Sequence, residues 1–462
     1  MQLLKKKRSV DVDMTEGNIF RHLIMFAFPL LIGNLFQMMY NMVDTLVVGQ
    51  FVSDAAFAAV GTLSSVTNLM IGFFMGFSTG AGVVISKFFG SHRPDMVKRS
   101  VSTAVAMTLV FSVVLTALGL LLIEPFLVIL DMPESVEQEA RTYLTIWFAG
   151  ISGLMIYTVG AGIMRAVGDS RRPFIMLVVC AFVNTVLDLV FVLVLGMGVE
   201  GVAYATIIAQ GISALLVVIL LFRTESVVKL DVKDFRCDRA ILGDIIRIGL
   251  PTALRMAVTS FSNIFVQSYI NSFGEAGMGG WSAYIKIDMI VLLPMQSLSI
   301  AVTTFVGQNL GCGNVKRADK GANVGFLMSL VGTAALIIPI ILFPALFVSI
   351  FNTNPEIIEY GSLFLRLLTP FYLVWCVNQI YSGALQGSGN SIAPMVIMLS
   401  SFVAFRQIYL FVMSNYISTS PIAISLCYPI GWCIAAIATF AYYKLHGLSR
   451  DKGAKQPAPE LA

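Results

Sequence analysis

Between Leu23 and Val52 the chain runs for thirty residues with a single formal charge, Asp44. A helix needs about 20 apolar residues to cross the hydrocarbon of a bilayer. Inside that layer every backbone N–H and C=O must be bonded within the structure, so only helices or closed barrels can span it. Barrel strands alternate over about 10 residues; here the apolar runs are unbroken and of helix length. The rest of the chain repeats the pattern. Of 462 residues, 57% are apolar and 12% charged, whereas soluble domains carry about 25% charged residues. The expected class is an all-α integral membrane protein. Lys5 to Arg8 are followed by the polar "DVDMTEGN", so the first apolar run is a mature span and not a cleaved leader. Six cysteines form no CxxC pair; most are expected to be apolar fillers inside helices, with no disulfide framework.

Charged and Pro/Gly-rich breaks divide the chain into twelve spans. They are 19–50, 55–87, 97–123, 135–164, 173–195, 200–223, 243–272, 278–309, 319–350, 356–386, 392–415 and 421–445. With the N-terminus in the cytoplasm, 25 of the 30 Lys and Arg residues fall on the cytoplasmic side. That satisfies the positive-inside rule and places both termini inside. Arg141 lies near an external loop, and Arg255, Lys286, Arg366 and Arg406 lie within spans. The net charge of +4 is explained by topology and calls for no nucleic-acid partner. The expected organisation is a cytoplasmic tail (1–18), an N-lobe of six spans (19–223), a cytoplasmic linker (224–242), a C-lobe of six spans (243–445) and a second tail (446–462).

The two halves echo each other. Pro29 answers Pro251, Phe51 answers Phe273 and Pro133 answers Pro355, each 222 residues apart. Gly90 answers Gly311, and "GIMRAVGDSRRP" answers "GALQGSGNSIAP", each at 221. Six spans per copy is an even number, so both copies enter the membrane the same way. They are expected to form two bundles related by a pseudo-twofold along the membrane normal, around a cleft suited to alternating access.

Three helices of the first copy carry polar groups on single faces. Gln37, Asn41 and Asp44 stand at i, i+4 and i+7 of span 1. Asn184 and Asp188 stand at i, i+4 of span 5, and Thr206 lies in span 6. Together they make an oxygen-rich pocket suited to a hard cation such as Na+, or to a proton. Acids inside a membrane are costly and mark ion or proton pathways. Pro29 removes a backbone donor and crowds the carbonyl of Met25, so span 1 is expected to bend there.

The phrases "NMVDTLVVG", "MRAVGDSRRP", "GVEGVAYATIIAQ" and "FVGQNLGCGNVKRA" resemble those of the multidrug and toxic compound extrusion (MATE) family. The resemblance covers residues 15 to 446. It implies a secondary antiporter of the plasma (inner) membrane that exports organic, often cationic, amphipathic compounds in exchange for protons or sodium ions. It implies no organic cofactor, and function as a monomer is expected. Asp44, Asn184, Asp188 and Thr206 match the family's N-lobe cation site.

The second copy lacks this set: Asp44, Asn184 and Asp188 map to Val266, Phe405 and Tyr409. Asp288 is the C-lobe's mid-membrane acid and is expected to pair locally with Lys286 or Arg255. The cleft is expected to be lined by Gln37, Asn41, Tyr157, Asn263, Gln267, Tyr284, Trp375, Asn378 and Gln379, amides and aromatics that suit flat organic cations. Two enzyme-like motifs do not hold. "GFSTG" (76–80) lies inside a span, with no strand before it and no histidine in reach. "GMGVEG" (196–201) is a turn between spans without a βαβ unit. A lipid-linked sugar or lipid flippase of related architecture is the alternative; it would line its cavity with several basic residues.

Overall fold

The computed structural model describes residues 11–130, 132–231 and 235–448. Lys5 to Arg8, Asp131, linker positions 232–234 and tail positions 449–462 lie outside the described residues. Within them there are helices and no strand. Twelve long helices follow the expected spans. The first six are α1 (Ile19–Phe51), α2 (Asp54–Gly90), α3 (Pro94–Leu121), α4 (Glu134–Ala166), α5 (Arg171–Val194) and α6 (Val199–Arg223). The second six are α7 (Arg239–Asn271), α8 (Gly274–Gly311), α9 (Val315–Leu342), α10 (Pro355–Gly387), α11 (Ile392–Ile417) and α12 (Pro421–His446). Eleven are long and apolar enough to cross a membrane. The other, α7, matches them in length but carries Arg255, Thr259, Ser262, Asn263 and Gln267 along its course.

Polar residues start these helices where the backbone needs acceptors. Asn18 caps α1 by accepting from the Arg21 N–H, and Ser53 caps α2 by accepting from Ala56. Asp238 caps α7, and Asn354 caps α10. Such a cap satisfies N–H groups that no turn precedes. Two expected spans end early. The third stops at Leu121 and a separate helix, Ile123–Ile129, follows. The ninth stops at Leu342, and Pro344 opens the short helix Pro344–Ser349. Proline has no N–H to continue the ladder, so the helix must restart. The piece after Leu342 is apolar, which is why hydropathy merged it with the ninth span; the third expected span ends at 123, so Ile123–Ile129 falls outside it.

The repeat is visible in the backbone. The loops after α4 and α10 each turn through a glycine with positive φ, Gly168 at 83° and Gly389 at 93°. The lobes meet where α2 packs against α7 and α8. Gly72, Gly76 and Gly80 recur every four residues on α2, and such stripes let backbones approach closely. A Cβ on Gly76 would lie 2.5 Å from the Ala253 nitrogen, and one on Gly80 2.5 Å from the Ile245 carbonyl. At the basic end, Gly90 abuts the Gln308 carbonyl of α8 and Gly311 abuts the Lys87 carbonyl of α2. The expected equivalents Gly90 and Gly311 therefore lie together on one side.

Two helices cross between the lobes. The first part of α1 (Leu23, Phe26, Ala27, Leu30) packs with Leu298, Val302, Phe305 and Ile380 of the second half, whereas Val47 and Val48 join the core of the first half. In the same way Ile241, Ile245 and Ile248 of α7 pack with Phe77, Val84 and Ile163, while Val266 and Ile270 join the core of the second half. Pro29 and Pro251 sit near these crossings. α1 stays helical through Pro29, and an open cavity of 280 Å³ lies beside it, lined by Ile24, Met25, Phe28, Pro29 and Arg171.

Residues 11–17, part of the expected N-terminal tail (1–18), are packed onto the basic end. The Val12 N–H donates to the Val167 carbonyl, and the Met14 N–H to Gln308 Oε1, both at 2.9 Å. Arg317 Nη2 donates to the carbonyls of Glu16 at 2.8 Å and Gly17 at 2.9 Å. This segment thus touches both halves where they are already in contact. The six cysteines are all free, with Cys180, Cys376 and Cys427 buried.

Candidate functional site

The polar faces of α1 and α5 meet inside the first half. Asn184 is 1% exposed and Asp188 0%. Asp44 comes from α1, and its carboxyl group faces that of Asp188. Asp44 Oδ1, both carboxylate oxygens of Asp188, and both amide atoms of Asn184 are buried without a hydrogen-bond partner among the described residues. An ionised carboxylate only accepts, so two of them side by side cannot satisfy each other. Each unsatisfied buried group costs about 1–3 kcal/mol. A cluster of five such atoms is not a packing device and calls for an ion, a proton or a donor.

The local backbone is unusual at the same place. The last part of α5, Val190–Val194, winds as a π-helix two residues after Asp188. Such wide turns insert an extra residue and often occur at functional sites. Thr206 on α6 is partly buried, and its hydroxyl donates to the Val202 carbonyl of its own helix at 3.0 Å. Its lone pairs remain available to accept. Asp44, Asn184 and Asp188 offer oxygen atoms, the ligand type that hard cations prefer. Among the described residues there is no cluster of three or more His, Cys, Asp and Glu.

Three neighbours escaped the sequence reading. The buried Tyr143 of α4 is close enough to interact electrostatically with both Asp44 and Asp188. Tyr40 is within electrostatic reach of Asp44 and Cys180, and Cys180 within that of Asp44. Tyr40 stands four residues before Asp44 and shares its helix face, a signal the spacing did contain. Tyr143 offered none: its titratable neighbours in sequence, Glu139 and Arg141, belong to the charged first turns of α4 and do not mark a site.

The second half is different. Asp288 does not pair with Lys286 or Arg255, a correction to the expectation. Its carboxylate accepts from the Tyr372 hydroxyl, which lies 3.2 Å from the Tyr284 hydroxyl. Lys286 is two residues away on the same helix and so points elsewhere; its ammonium sits 5.4 Å from the Phe351 ring centroid.

Of the expected cleft residues, Asn41 and Asn263 are exposed, while Gln37, Gln267, Trp375 and Gln379 are partly buried. Gln267 Nε2 donates to Asn271 Oδ1 at 2.9 Å. Tyr157 is turned inward and its hydroxyl donates to the Pro173 carbonyl at 3.2 Å. Tyr284 and Asn378 are 2% and 0% exposed, inside the second bundle. Asn378 Oδ1 accepts from Thr439 at 2.8 Å, and Tyr284 packs on Trp281 at 4.8 Å. Aromatic and amide side chains serve the core of a membrane bundle as readily as a cleft, and composition alone does not separate the two uses.

The family model MatE matches the chain twice, over residues 29–190 and 251–412, the two halves of the internal repeat. The chain is 27% identical to the probable multidrug resistance protein YpnP of Bacillus subtilis, over 94% of this chain and 96% of that protein. It is 28% identical to the probable multidrug resistance protein NorM of Thermotoga maritima, over 86% of each. Its fold is similar to a solved structure described as the outward-facing conformation of a multidrug resistance MATE family transporter. The TM-score is 0.89 at 23% identity, over 96% of this chain and all of the other.

Proposed function

The chain belongs to the MatE family, and from that premise we propose that it exports small organic compounds in exchange for protons or sodium ions. The observation that carries this reading is the facing pair Asp44 and Asp188, buried with Asn184 and without partners. Out of water the doubly ionised pair is unstable alone. Binding a cation or a proton neutralises it, and losing that ion restores the repulsion. A conformational equilibrium can be driven only by a ligand that binds its states unequally, and such a pair supplies the inequality. The relatives named as multidrug resistance proteins support export of organic compounds.

With the basic end in the cytoplasm, the lobes touch on the inside through Gly80, Gly90 and Gly311, and the conformer is outward-facing. The N-lobe is then α1 to α6 and the C-lobe α7 to α12, with residues 224–242 as the linker. α1 carries Asp44 in one lobe and packs its first turns in the other. Neutralising Asp44 therefore acts on an element that both lobes hold. Gln37, Asn41, Asn263, Gln267, Trp375 and Gln379 would meet the substrate.

Efflux of ethidium from proteoliposomes under an imposed pH gradient, and separately under an imposed sodium gradient, tests the reading. One of the two is expected to raise efflux at least tenfold over no gradient. Equal efflux in all three conditions contradicts ion coupling. The orientation has its own check. Cysteines at Ser53 and Asn354 are expected to react with an impermeant maleimide from outside intact cells, and Cys237 only after permeabilisation. The reverse pattern contradicts the assignment.

A further inference from the structure

The second half of the molecule holds a buried cation that ion coupling does not use. Arg406 lies near the middle of α11 and is 1% exposed. Its Nη2 donates to Ser262 Oγ at 2.6 Å and to Asn263 Oδ1 at 3.0 Å, both on α7. Nε and Nη1 have no acceptor among the described residues. A guanidinium carries five N–H bonds; these two contacts use the pair on Nη2 and leave three. No carboxylate pairs with it among the described residues, and Asp288 is bound by Tyr372. The rings of Phe402 and Tyr428 lie 5.6 and 5.1 Å from the guanidinium carbon. They soften the charge but do not accept the in-plane N–H bonds.

A staple between α7 and α11 would account for Nη2 alone. It leaves a charge buried inside a bundle of membrane helices with no counter-charge among the described residues, among the costliest arrangements a membrane protein can hold. Two further features point to a ligand. α11 widens to a π-helix over Leu399–Phe405, directly before Arg406, a distortion enriched at functional sites. Arg406 also follows Phe405, the repeat counterpart of Asn184. The cation thus stands three residues before the position that answers Asp188. Asn263 is exposed on α7, so the guanidinium lies one side chain beneath an accessible surface.

We propose that Arg406 is the centre of an anion-binding site in the C-lobe, and that it receives the carboxylate or other oxyanion of an amphipathic aromatic substrate. The adjoining Phe402, Tyr428 and Trp375, the last 5.2 Å from Phe402, give the aromatic part its surface. The two lobes would then hold opposite charges of the cycle, a cation at Asp44 and Asp188 and an anion at Arg406. The source of the anion rests on the export reading above; the site itself does not.

Equilibrium binding in nanodiscs, with no gradient, separates the two. The probes are dansylglycine, dansylglycinamide and chloride. The full-length protein is expected to bind the acid at least tenfold more tightly than the amide. Arg406→Gln is expected to erase that preference, and Arg406→Lys to keep part of it. Equal affinity for acid and amide, with no response to chloride in tryptophan fluorescence, overturns the site without recourse to any variant. An acid preference that survives in Arg406→Gln overturns the role of Arg406. A chloride response lost in Arg406→Gln, with acid and amide bound equally, overturns the substrate as source and assigns the site to free inorganic anions.

Discussion

Asp44→Asn is expected to reduce gradient-driven efflux to the level of empty vesicles while the protein stays folded. The two effects separate because the site is unfavourable as it stands. Asp44 Oδ1 and both oxygens of Asp188 are buried without donors. An asparagine at position 44 offers N–H bonds to Asp188 at nearly constant shape. A hydrogen bond to a charged group contributes about 1.5–3 kcal/mol, so the melting temperature should hold or rise. Function then fails because one of the two exchangeable charges is gone. Asp188→Asn should act alike, since the pair is symmetric in its chemistry. Asp288→Asn should cost less, because that carboxylate already has the Tyr372 hydroxyl and faces no second acid. Melting and efflux measured on the same preparations check this. A stable Asp44→Asn protein with more than half of normal efflux contradicts it.

Gly311→Val is expected to be the most damaging change far from the acids. The backbone at Gly311 lies against the Lys87 carbonyl of α2, and Gly90 lies against the Gln308 carbonyl of α8. These are main-chain contacts on both sides, so no rotamer change relieves a clash. Overpacking typically costs about 1–3 kcal/mol, and here the backbones of two helices must separate. The cost falls on the conformer in which the lobes touch at the basic end, not on the bundles themselves. A cysteine replacing Ser86, which is 0% exposed at this contact, should react with a soluble maleimide at least tenfold faster in the Gly311→Val background. Efflux should be lost in parallel. Unchanged labelling would mean that the close contact does not hold the lobes.

Much of the fold was readable because the bilayer allows so few solutions. The length of each apolar run gave a helix, and charge gave the breaks between them. The repeat was readable because glycine and proline carry backbone requirements that survive sequence drift. Gly168 and Gly389 adopt positive φ, and only glycine does that cheaply. What was not readable depends on which neighbour a face meets. Hydropathy could not see that α9 restarts at Pro344, since both sides of the break are apolar. It could not assign Asn378 to the core, because an amide bonded to Thr439 reads the same as one facing a cleft. The acids Asp44 and Asp188 were legible through helical spacing, whereas Tyr143 was not, since it arrives from a third helix. Arg406 was visible as a charge within a span, but its unpaired N–H bonds exist only in three dimensions.

The central claim is that ion coupling resides in the pair of Asp44 and Asp188. The most direct measurement is efflux of ethidium from proteoliposomes containing the double variant Asp44→Asn, Asp188→Asn, driven by whichever ion gradient drives the unmodified protein. The variant should retain ethidium binding within about threefold and show no gradient-dependent efflux. Full gradient-driven efflux by a transporter with both carboxylates neutralised would contradict the account and move the coupling site to Asp288.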